Sequence, residues 1–295
     1  MQDKPVNPVL IVGCGDIGRR VAVRLLAAGR AVTGVVRSEA SALAVKAAGA
    51  HTVRVDLDSD TQPAGWAGGY DEVYYFAPPP REGDSDDRLR RFLAQLDTGP
   101  APSRIVYIST SAVYGDCGGE WITESQPVAP TTARGRRRLD AENRLCSWTQ
   151  AHGVQLVILR VPGIYGPGKL PLARLEKGLP VLREADAPWT NRIHADDLAD
   201  ICIAAMQADS PGIVYNVSDG HPSNMTDYFF RVADAAGLPR PPEVDRQEAG
   251  RVLSPGMLSF LQDSRRMKND KLLRELDVRL QYPDLEAGLA SCFTD

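Results

Sequence analysis

The chain has 295 residues, of which 43% are hydrophobic, so it can bury a large core, and a small isolated fold is excluded. Its 34 basic and 38 acidic side chains leave a formal net charge of −4, which argues against general nucleic-acid binding. The five cysteines are scattered without a C-x-x-C pair, which predicts reduced thiols and a cytoplasmic location, and we expect neither a signal segment nor a membrane span.

The first chemical motif joins a predicted strand to a predicted helix. Residues Val9–Gly18 read V-L-I-V-G-C-G-D-I-G, a buried strand followed by the G-x-G-x-x-G spacing of dinucleotide-binding turns. The first glycine allows a tight turn, the second lets the backbone approach a pyrophosphate, and the third lets the helix pack on the strand. The N–H groups at the start of the helix would face the phosphate. The predicted cofactor contacts in this turn are Gly13, Gly15, Asp16, Ile17 and Gly18.

The ends of the next two predicted strands bear on the choice of cofactor. The second strand, Ala31–Val36, ends in Arg37, and a basic side chain at this position pairs with the 2′-phosphate of NADP, where NAD-binding turns carry an acid. NADP is therefore the predicted cofactor and NAD the other option, while a solvated loop arginine is the alternative interpretation of Arg37. The third strand, Thr52–Val55, leads into Asp56 and Leu57, which could contact adenine, although a turn or cap aspartate fits equally well.

A fourth strand is predicted at Asp71–Ala77, and the prolines at 78–80 stop it. We expect Ala77 and Pro78 to lie beside the cofactor. Between the second and third strands, Ser38 is a plausible cap for a helix.

The fifth predicted strand, Arg104–Ile108, delivers Thr110 and Ser111 at its carboxyl end, which is the edge where open parallel sheets bind ligands. A helix over 134–149 and a sixth strand over 154–160 follow.

This alternation of strands and helices predicts the α/β class, with a Rossmann-like doubly wound parallel sheet and a smaller C-terminal substrate domain. We assign residues 1–160 and 191–210 to an NAD(P)-binding domain, and residues 161–190 and 211–295 to the smaller, lid-like substrate domain. A helix predicted at 193–206 returns to the main sheet.

Five segments together resemble the extended short-chain dehydrogenase/reductase superfamily, which includes nucleotide-sugar epimerases and dehydratases, and residues 264–276 are similar to an atypical branch of it. The five segments are G-C-G-D-I-G at 13–18, I-S-T-S-A-V-Y-G at 108–115, L-R-V-P-G-I-Y-G-P-G at 159–168, R-I-H-A-D-D-L-A at 192–199 and V-Y-N-V-S-D-G at 214–220. The resemblance implies a nicotinamide cofactor, a small-molecule substrate and a homodimer as one oligomeric state. It also implies backbone contacts to the nicotinamide end from Pro162, Gly163 and Ile164.

Active members of this superfamily use a serine or threonine after the fifth strand and a Y-x-x-x-K pair one helix later, in which the lysine lowers the pKa of the tyrosine for proton transfer. Thr110 fits the first position. The helix departs from the pattern, because its R-G-R-R-R run puts Arg134 in place of the tyrosine and Arg138 in place of the lysine. An arginine stays protonated at any working pH, so Arg134 is no ordinary proton shuttle, while Arg138 could still bind ribose hydroxyls or a phosphate. A solvated helix face is the alternative interpretation of the run.

Tyr114 is another candidate for proton transfer, although packing of its loop is the favoured interpretation, and His194 fits a buried structural link better. Ser111, Tyr165 and Arg192 are predicted substrate contacts, with Arg192 as an anchor for a phosphate or carboxylate. The sequence shows neither a metal-ligand spacing nor a G-x-S-x-G elbow, so neither a metal site nor hydrolase chemistry is predicted.

Two classes of function follow from these motifs. The first is an NADP-preferring oxidoreductase or epimerase that acts on a hydroxyl-bearing, nucleotide-linked substrate with a non-standard catalytic site. The second is a catalytically inactive regulator or sensor that binds the cofactor and changes a partner-binding surface. The missing tyrosine motivates the second class, and the matching substrate-side loops favour the first.

Overall fold

The computed structural model describes residues 8–293, and its main feature is one parallel sheet with helices on both faces. The strands are β1 (Val9–Val12), β2 (Val32–Val36), β3 (His51–Arg54), β4 (Glu72–Tyr75), β5 (Arg104–Thr110), β6 (Trp121–Ile122), β7 (Gln155–Val161), β8 (Gly163–Tyr165), β9 (Val181–Leu182), β10 (Trp189–Thr190), β11 (Arg192–His194), β12 (Val214–Asn216), β13 (Ser223–Asn224), β14 (Glu243–Val244) and β15 (Arg266–Met267). The helices are α1 (Asp16–Ala27), α2 (Glu39–Ala47), α3 (Asp87–Leu96), α4 (Ala133–His152), α5 (Leu172–Glu176), α6 (Ala195–Gln207), α7 (Met225–Ala235), α8 (Arg246–Val252), α9 (Pro255–Phe260), α10 (Asp270–Glu275) and α11 (Leu285–Ala290).

The main sheet has seven strands in the order β12-β7-β5-β4-β1-β2-β3, and each neighbouring pair is parallel. This arrangement confirms the predicted doubly wound α/β fold. The strand order reverses at β1, which pairs with β2 on one side and with β4 on the other. The crevice between the carboxyl ends of β1 and β4 is therefore a topological switch point, where folds of this kind bind ligands.

The seventh strand, β12, is additional to the six that the sequence predicts. It pairs with β7 at the sheet edge, and it lies inside the range 211–295 that we assign to the smaller domain. A strand of three residues carries too little periodic pattern to be recognised among its neighbours. The chain thus returns to the main sheet after residue 210, and the division into two domains stays a prediction.

Burial on both faces explains the continuous apolar run of β1. Val9 and Ile11 face the cluster formed with α1, α2 and α6, whereas Leu10 and Val12 face the cluster formed with α3 and α4. A strand covered by helices on both sides needs apolar residues at every position, as parallel sheets of this class show.

Side-chain caps start several of the helices, among them α2 and α3. Ser38 caps α2 as predicted, since its hydroxyl accepts the N–H of Ser41 at 3.2 Å. The charged segment before α3 ends in Asp86, whose carboxylate accepts the N–H of Leu89 at 3.1 Å.

The helix predicted at 193–206 begins at Ala195, because the residues before it form β11, which pairs with β8. His194 is fully buried, and its Nδ1 accepts the N–H of Asp196 at 3.2 Å, which caps α6. The histidine therefore has the structural role that the sequence favours.

A separate apolar cluster holds much of the C-terminal region together. It joins Tyr165 of β8 to Phe229 and Val232 of α7 and to Leu289 of α11. The short strand pairs β9–β14, β10–β13 and β6–β15 add backbone links. Between residues 8 and 293, the helices are all too short or too polar to cross a membrane.

Gly13 lets the turn after β1 lie against the end of β4. Its φ is +81°, and a Cβ atom on it would lie 2.4 Å from the backbone nitrogen of Ala77. Gly15 differs, because its φ is −79° and the nearest atom to an added Cβ, the Gly13 carbonyl oxygen, is 3.9 Å away. The backbone therefore requires glycine at position 13, whereas position 15 leaves open space over the start of α1.

The substitution Gly13→Ala is expected to lower the free energy of unfolding by about 2–3 kcal/mol, because its methyl group meets main-chain atoms and a positive φ strains an L-residue. Urea denaturation followed by circular dichroism measures this loss. The matched control is Gly15→Ala, which we expect to cost no more than about 1 kcal/mol. Equal losses in the two variants would contradict the different roles of these glycines.

Candidate functional site

The carboxyl edge of the main sheet borders two adjoining cavities. The Gly13 cavity has a volume of about 840 Å³ and lies beyond the ends of β1, β2 and β3. The Thr110 cavity has a volume of about 670 Å³ and lies beyond the ends of β5 and β7. Residues 78–81 line both cavities, so the two spaces meet along this segment. Each volume suits a small-molecule site.

Most of the predicted site residues line one of these two cavities. Around the Gly13 cavity are Gly13, Gly15, Arg37, Asp56, Leu57, Ala77 and Pro78. Around the Thr110 cavity are Thr110, Ser111, Arg134, Arg138, Pro162, Gly163, Ile164 and Arg192. The fold therefore brings together residues that are far apart in the sequence.

Three residues predicted as cofactor contacts lie outside the cavity linings. The carboxylate of Asp16 pairs with Lys169 at 3.0 Å and with Arg20 at 3.3 Å. Ile17 belongs to the apolar core beneath the sheet. A Cβ atom on Gly18 would lie 3.1 Å from a methyl carbon of a β1 isoleucine, so this glycine allows the helix to pack closely. Contacts from the N–H groups of this turn to a cofactor stay a prediction.

Arg37 lines the Gly13 cavity with 68% of its side chain exposed, and its guanidinium lies 3.9 Å from the carboxylate of Asp58. Arg88 already binds Asp58 through two hydrogen bonds, of 2.5 and 2.7 Å, and this contact lowers the pKa of Asp58. Because Asp58 has a closer partner, the Arg37 guanidinium keeps donors available for a ligand. Asp56 accepts the N–H of Asp58 at 3.0 Å. Its carboxylate therefore makes the turn contact that the sequence offers as the alternative to a contact with adenine.

Two contacts fix α4 against the carboxyl ends of β5 and β7. Gly135 lets the first turn of α4 approach the 3₁₀ turn Ser111–Tyr114, where a Cβ atom would lie 2.7 Å from a carbonyl oxygen. Two turns later, the buried carboxylate of Glu142 accepts the hydroxyl of Ser109 at 2.5 Å and pairs with Arg160 at 2.7 Å. These contacts direct the N-terminal arginines of α4 toward the Thr110 cavity.

Arg138 lies against β5 at the base of the Thr110 cavity. Its Nη1 donates to the carbonyl oxygen of Ile108 at 2.9 Å and to the hydroxyl of Tyr107 at 3.1 Å. Burial raises the pKa of Tyr107 to about 12 despite this nearby positive charge. Arg138 is thus a fixed donor, as binding of a ribose or a phosphate requires.

The R-G-R-R-R run as a whole is not a solvated helix face. The Arg134 guanidinium lies over the ring of Phe260, with 4.2 Å between the guanidinium carbon and the ring centre. Arg137 is only 8% exposed, and it lines the Thr110 cavity. Arg136 is the exposed member of the run, and it pairs with Asp84 at 2.9 Å.

Neither Tyr114 nor Tyr165 lines either cavity. This corrects the proton-transfer candidate at Tyr114, for which the sequence favours packing, and the substrate contact expected of Tyr165. Tyr114 is 1% exposed and donates to the side-chain oxygen of Asn216 at 2.7 Å, and burial raises its pKa to about 12. Tyr165 is fully buried and donates to the carbonyl oxygen of Asp284 at 3.1 Å. Both phenols point into the protein interior, because the apolar clusters around them bury both rings.

The Thr110 cavity also contains residues that no sequence motif marks. Tyr228 of α7 lies beneath Arg192, whose guanidinium carbon is 4.1 Å from the centre of the tyrosine ring. Burial raises the pKa of the Tyr228 phenol, and Arg192 offsets only part of this rise. Asp263 and Arg265, 3.3 Å apart, come from the irregular C-terminal region.

Within the described chain, no three histidine, cysteine or carboxylate side chains gather as a metal site.

Comparison with known proteins gives a family match that covers the whole main sheet. A model of the NAD dependent epimerase/dehydratase family matches residues 9–218, which run from β1 to just beyond β12. Among curated proteins, a UDP-glucose 4-epimerase from Corynebacterium glutamicum is 25% identical over 272 residues, which cover 81% of this chain and 83% of that protein.

Two solved structures illustrate the likeness. A functionally unknown conserved protein from Silicibacter pomeroyi is 32% identical, with a TM-score of 0.82 and coverage of 97% of this chain and 98% of that one. A UDP-glucuronic acid 4-epimerase from Bacillus cereus, solved in complex with NAD, has a TM-score of 0.76 at 17% identity, with coverage of 97% and 95%. The second likeness shows the fold alone.

Proposed function

Since the chain belongs to the NAD dependent epimerase/dehydratase family, we propose that it is an NAD(P)-dependent oxidoreductase or epimerase that acts on a hydroxyl-bearing nucleotide sugar, with a proton donor other than the usual tyrosine. The junction of the Gly13 and Thr110 cavities along residues 78–81 is the observation that carries this proposal. A ligand that spans the junction has one end at the glycine turn and the other beside Thr110.

The residues of the Gly13 cavity fit a dinucleotide. Gly15 leaves open space at the start of α1, and no side chain of the described chain caps this helix, so its first N–H groups suit a phosphate. Arg37 and Ser41 line the same cavity and would hold a 2′-phosphate, which favours NADP over NAD. The bound nicotinamide supplies the redox chemistry, and the protein supplies orientation.

Thr110 and Tyr228 are the proposed partners of the reacting substrate group. The Thr110 hydroxyl accepts the N–H of Ala112 at 3.3 Å, and its own proton is left to orient a substrate oxygen. Tyr228 takes the place of the missing tyrosine as proton donor, because it lines the cavity and its ring centre lies 4.1 Å from the guanidinium carbon of Arg192. Burial raises the pKa of the phenol, and the positive charge of Arg192 offsets part of this rise, which is the direction that proton donation requires. Arg138 would hold the ribose of the cofactor, which is the role that the resemblance gives to a lysine.

The direct test incubates the purified full chain with NADP⁺ or NAD⁺ and a panel of UDP- and dTDP-linked hexoses, with products identified by NMR. We expect an epimer or a keto sugar whose formation depends on the dinucleotide. Calorimetric binding of a dinucleotide without any product would instead favour the sensor function. The curated relatives, which are named as enzymes, do not support that function. Failure to bind either dinucleotide would remove both functions.

The cytoplasmic location and the homodimer stay predictions.

Arg37→Gln is expected to raise the Kd for NADPH about tenfold, because the variant loses one charge-assisted contact to the 2′-phosphate, worth about 1.5 kcal/mol. The Kd for NADH should stay nearly constant, and titration calorimetry measures both values. Arg54→Gln removes an exposed charge from β3, outside both cavities, and should change neither affinity. Equal weakening of NADPH and NADH by the Arg37 variant would contradict the assignment.

Thr110→Val is expected to lower kcat at least about tenfold, because the substrate oxygen loses its hydrogen-bond partner. Steady-state kinetics with the best sugar of the panel measure the loss. Thr110→Ser keeps the hydroxyl and the cap of the 3₁₀ turn, so its kcat should stay close to that of the unmodified chain. Comparable rates for the valine variant and the unmodified chain would rule out the proposed role.

Tyr228→Phe is expected to lower kcat about 100-fold while leaving the Kd for NADPH unchanged, because general-acid catalysis contributes at least this much. Tyr282→Phe is the control, since it removes a phenol that lines neither cavity. A Tyr228 variant with undiminished kcat would assign the proton transfer to another group.

A further inference from the structure

The charges around the Thr110 cavity do not balance. Within the part of the chain that the structure describes, its lining has a single carboxylate, Asp263, and six arginines, which are Arg81, Arg134, Arg137, Arg138, Arg192 and Arg265. Asp263 lies 3.3 Å from Arg265 and also accepts the hydroxyl of Thr131 at 2.8 Å. The other five arginines have no carboxylate within 4 Å among residues 8–293.

Three of these five arginines donate to neutral groups instead, and Arg81 is exposed. Arg138 donates to a backbone carbonyl and a phenol, Arg137 donates to the carbonyl oxygen of Gly83, and Arg192 donates to the carbonyl oxygen of Asn191 at 2.7 Å. Burial lowers the pKa of Arg192 and of Arg134, and in Arg134 the nearby Arg265 lowers it further. Positive charges that leave water without a counter-charge destabilise the fold, and a bound anion removes that cost.

Arg134 has the position and the geometry to bind such an anion beside Thr110. It lies in the first turn of the 20-residue helix α4, after the N-cap Thr132, where the helix dipole adds positive potential. Gly135 holds this turn against the 3₁₀ helix that Thr110 caps. The Phe260 ring lies 4.2 Å from the guanidinium carbon of Arg134, and the Nε of Arg134 is buried without a hydrogen-bond partner among the described residues. The guanidinium therefore keeps donors for a carboxylate or a phosphate.

We propose that the reacting part of the substrate, the part that lies beside Thr110, itself carries an oxyanion, and that Arg134, with Arg137 behind it, selects for that group. The inference rests on the proposed function for the placement of the reacting group. The diphosphate of a nucleotide sugar neutralises only part of the positive charge in the cavity, which leaves a requirement for a second anionic group. Arg134 is then a specificity-determining residue and not a substitute acid or base.

The test uses matched pairs of ligands on the full chain saturated with NADP⁺, with affinities measured by titration calorimetry. UDP-glucuronic acid is compared with UDP-glucose, and glucuronate and glucose 6-phosphate are each compared with glucose. We expect the acidic member of at least one pair to bind about tenfold more tightly or better. A preference confined to glucuronate or its UDP derivative identifies a carboxylate, and one confined to glucose 6-phosphate identifies a phosphate.

Arg134→Gln should reduce the preference for the acidic ligand to about threefold or less, while Arg136→Gln, which removes an exposed charge from the same helix, should leave it intact. The preference of the unmodified chain tests the proposal even if the Arg134 variant fails to fold. Equal affinities within every pair, or no binding by any acidic ligand, would overturn the inference. A clear acidic preference without turnover of any sugar would leave Arg134 as the residue that selects an anionic ligand and would remove the proposed function.

Discussion

The close approach of Gly13 to Ala77 is the constraint on which the candidate site depends. Because no side chain separates the turn after β1 from the end of β4, the two meet closely at the switch point of the sheet. The start of α1 is exposed in that crevice, and Arg37 lies at its far side. The same sheet edge continues past residues 78–81 to Thr110, so the cofactor end and the substrate end of the site share one backbone frame.

Electrostatics distinguishes the two halves of this frame. In the Gly13 cavity, Asp58 and Arg88 compensate each other and Arg37 remains for a ligand. In the Thr110 cavity, five arginines have no carboxylate within 4 Å among the described residues, so a bound anion would balance their charge. With an arginine at position 134, the first turn of α4 has charge recognition as its proposed role in place of proton transfer. The proposed proton donor, Tyr228, then comes from α7.

The sequence predicted the parts of the site that depend on local pattern. The glycine spacing, the cap at Ser38 and the strand ends at Arg37 and Thr110 follow from turn geometry and strand periodicity, and each lies where that pattern puts it. Side-chain direction in irregular segments was less predictable. Tyr114 and Tyr165 follow cavity-lining residues in the sequence, yet tertiary packing turns both phenols inward. Tyr228, by contrast, lies in an ordinary amphipathic helix, and only the packing of α7 over β11 brings it under Arg192.

A crystal structure of the full chain with bound NADP⁺ tests the central claim most directly. The account predicts the pyrophosphate at the Gly15 turn, the 2′-phosphate at Arg37 and the nicotinamide ring inside the Thr110 cavity, facing Thr110 and the backbone of residues 162–164. The structure would also show whether Arg134 or Tyr228 approaches the reactive edge of the ring. A nicotinamide that lies outside the Thr110 cavity, or a dinucleotide bound away from the Gly13 turn, would contradict the account.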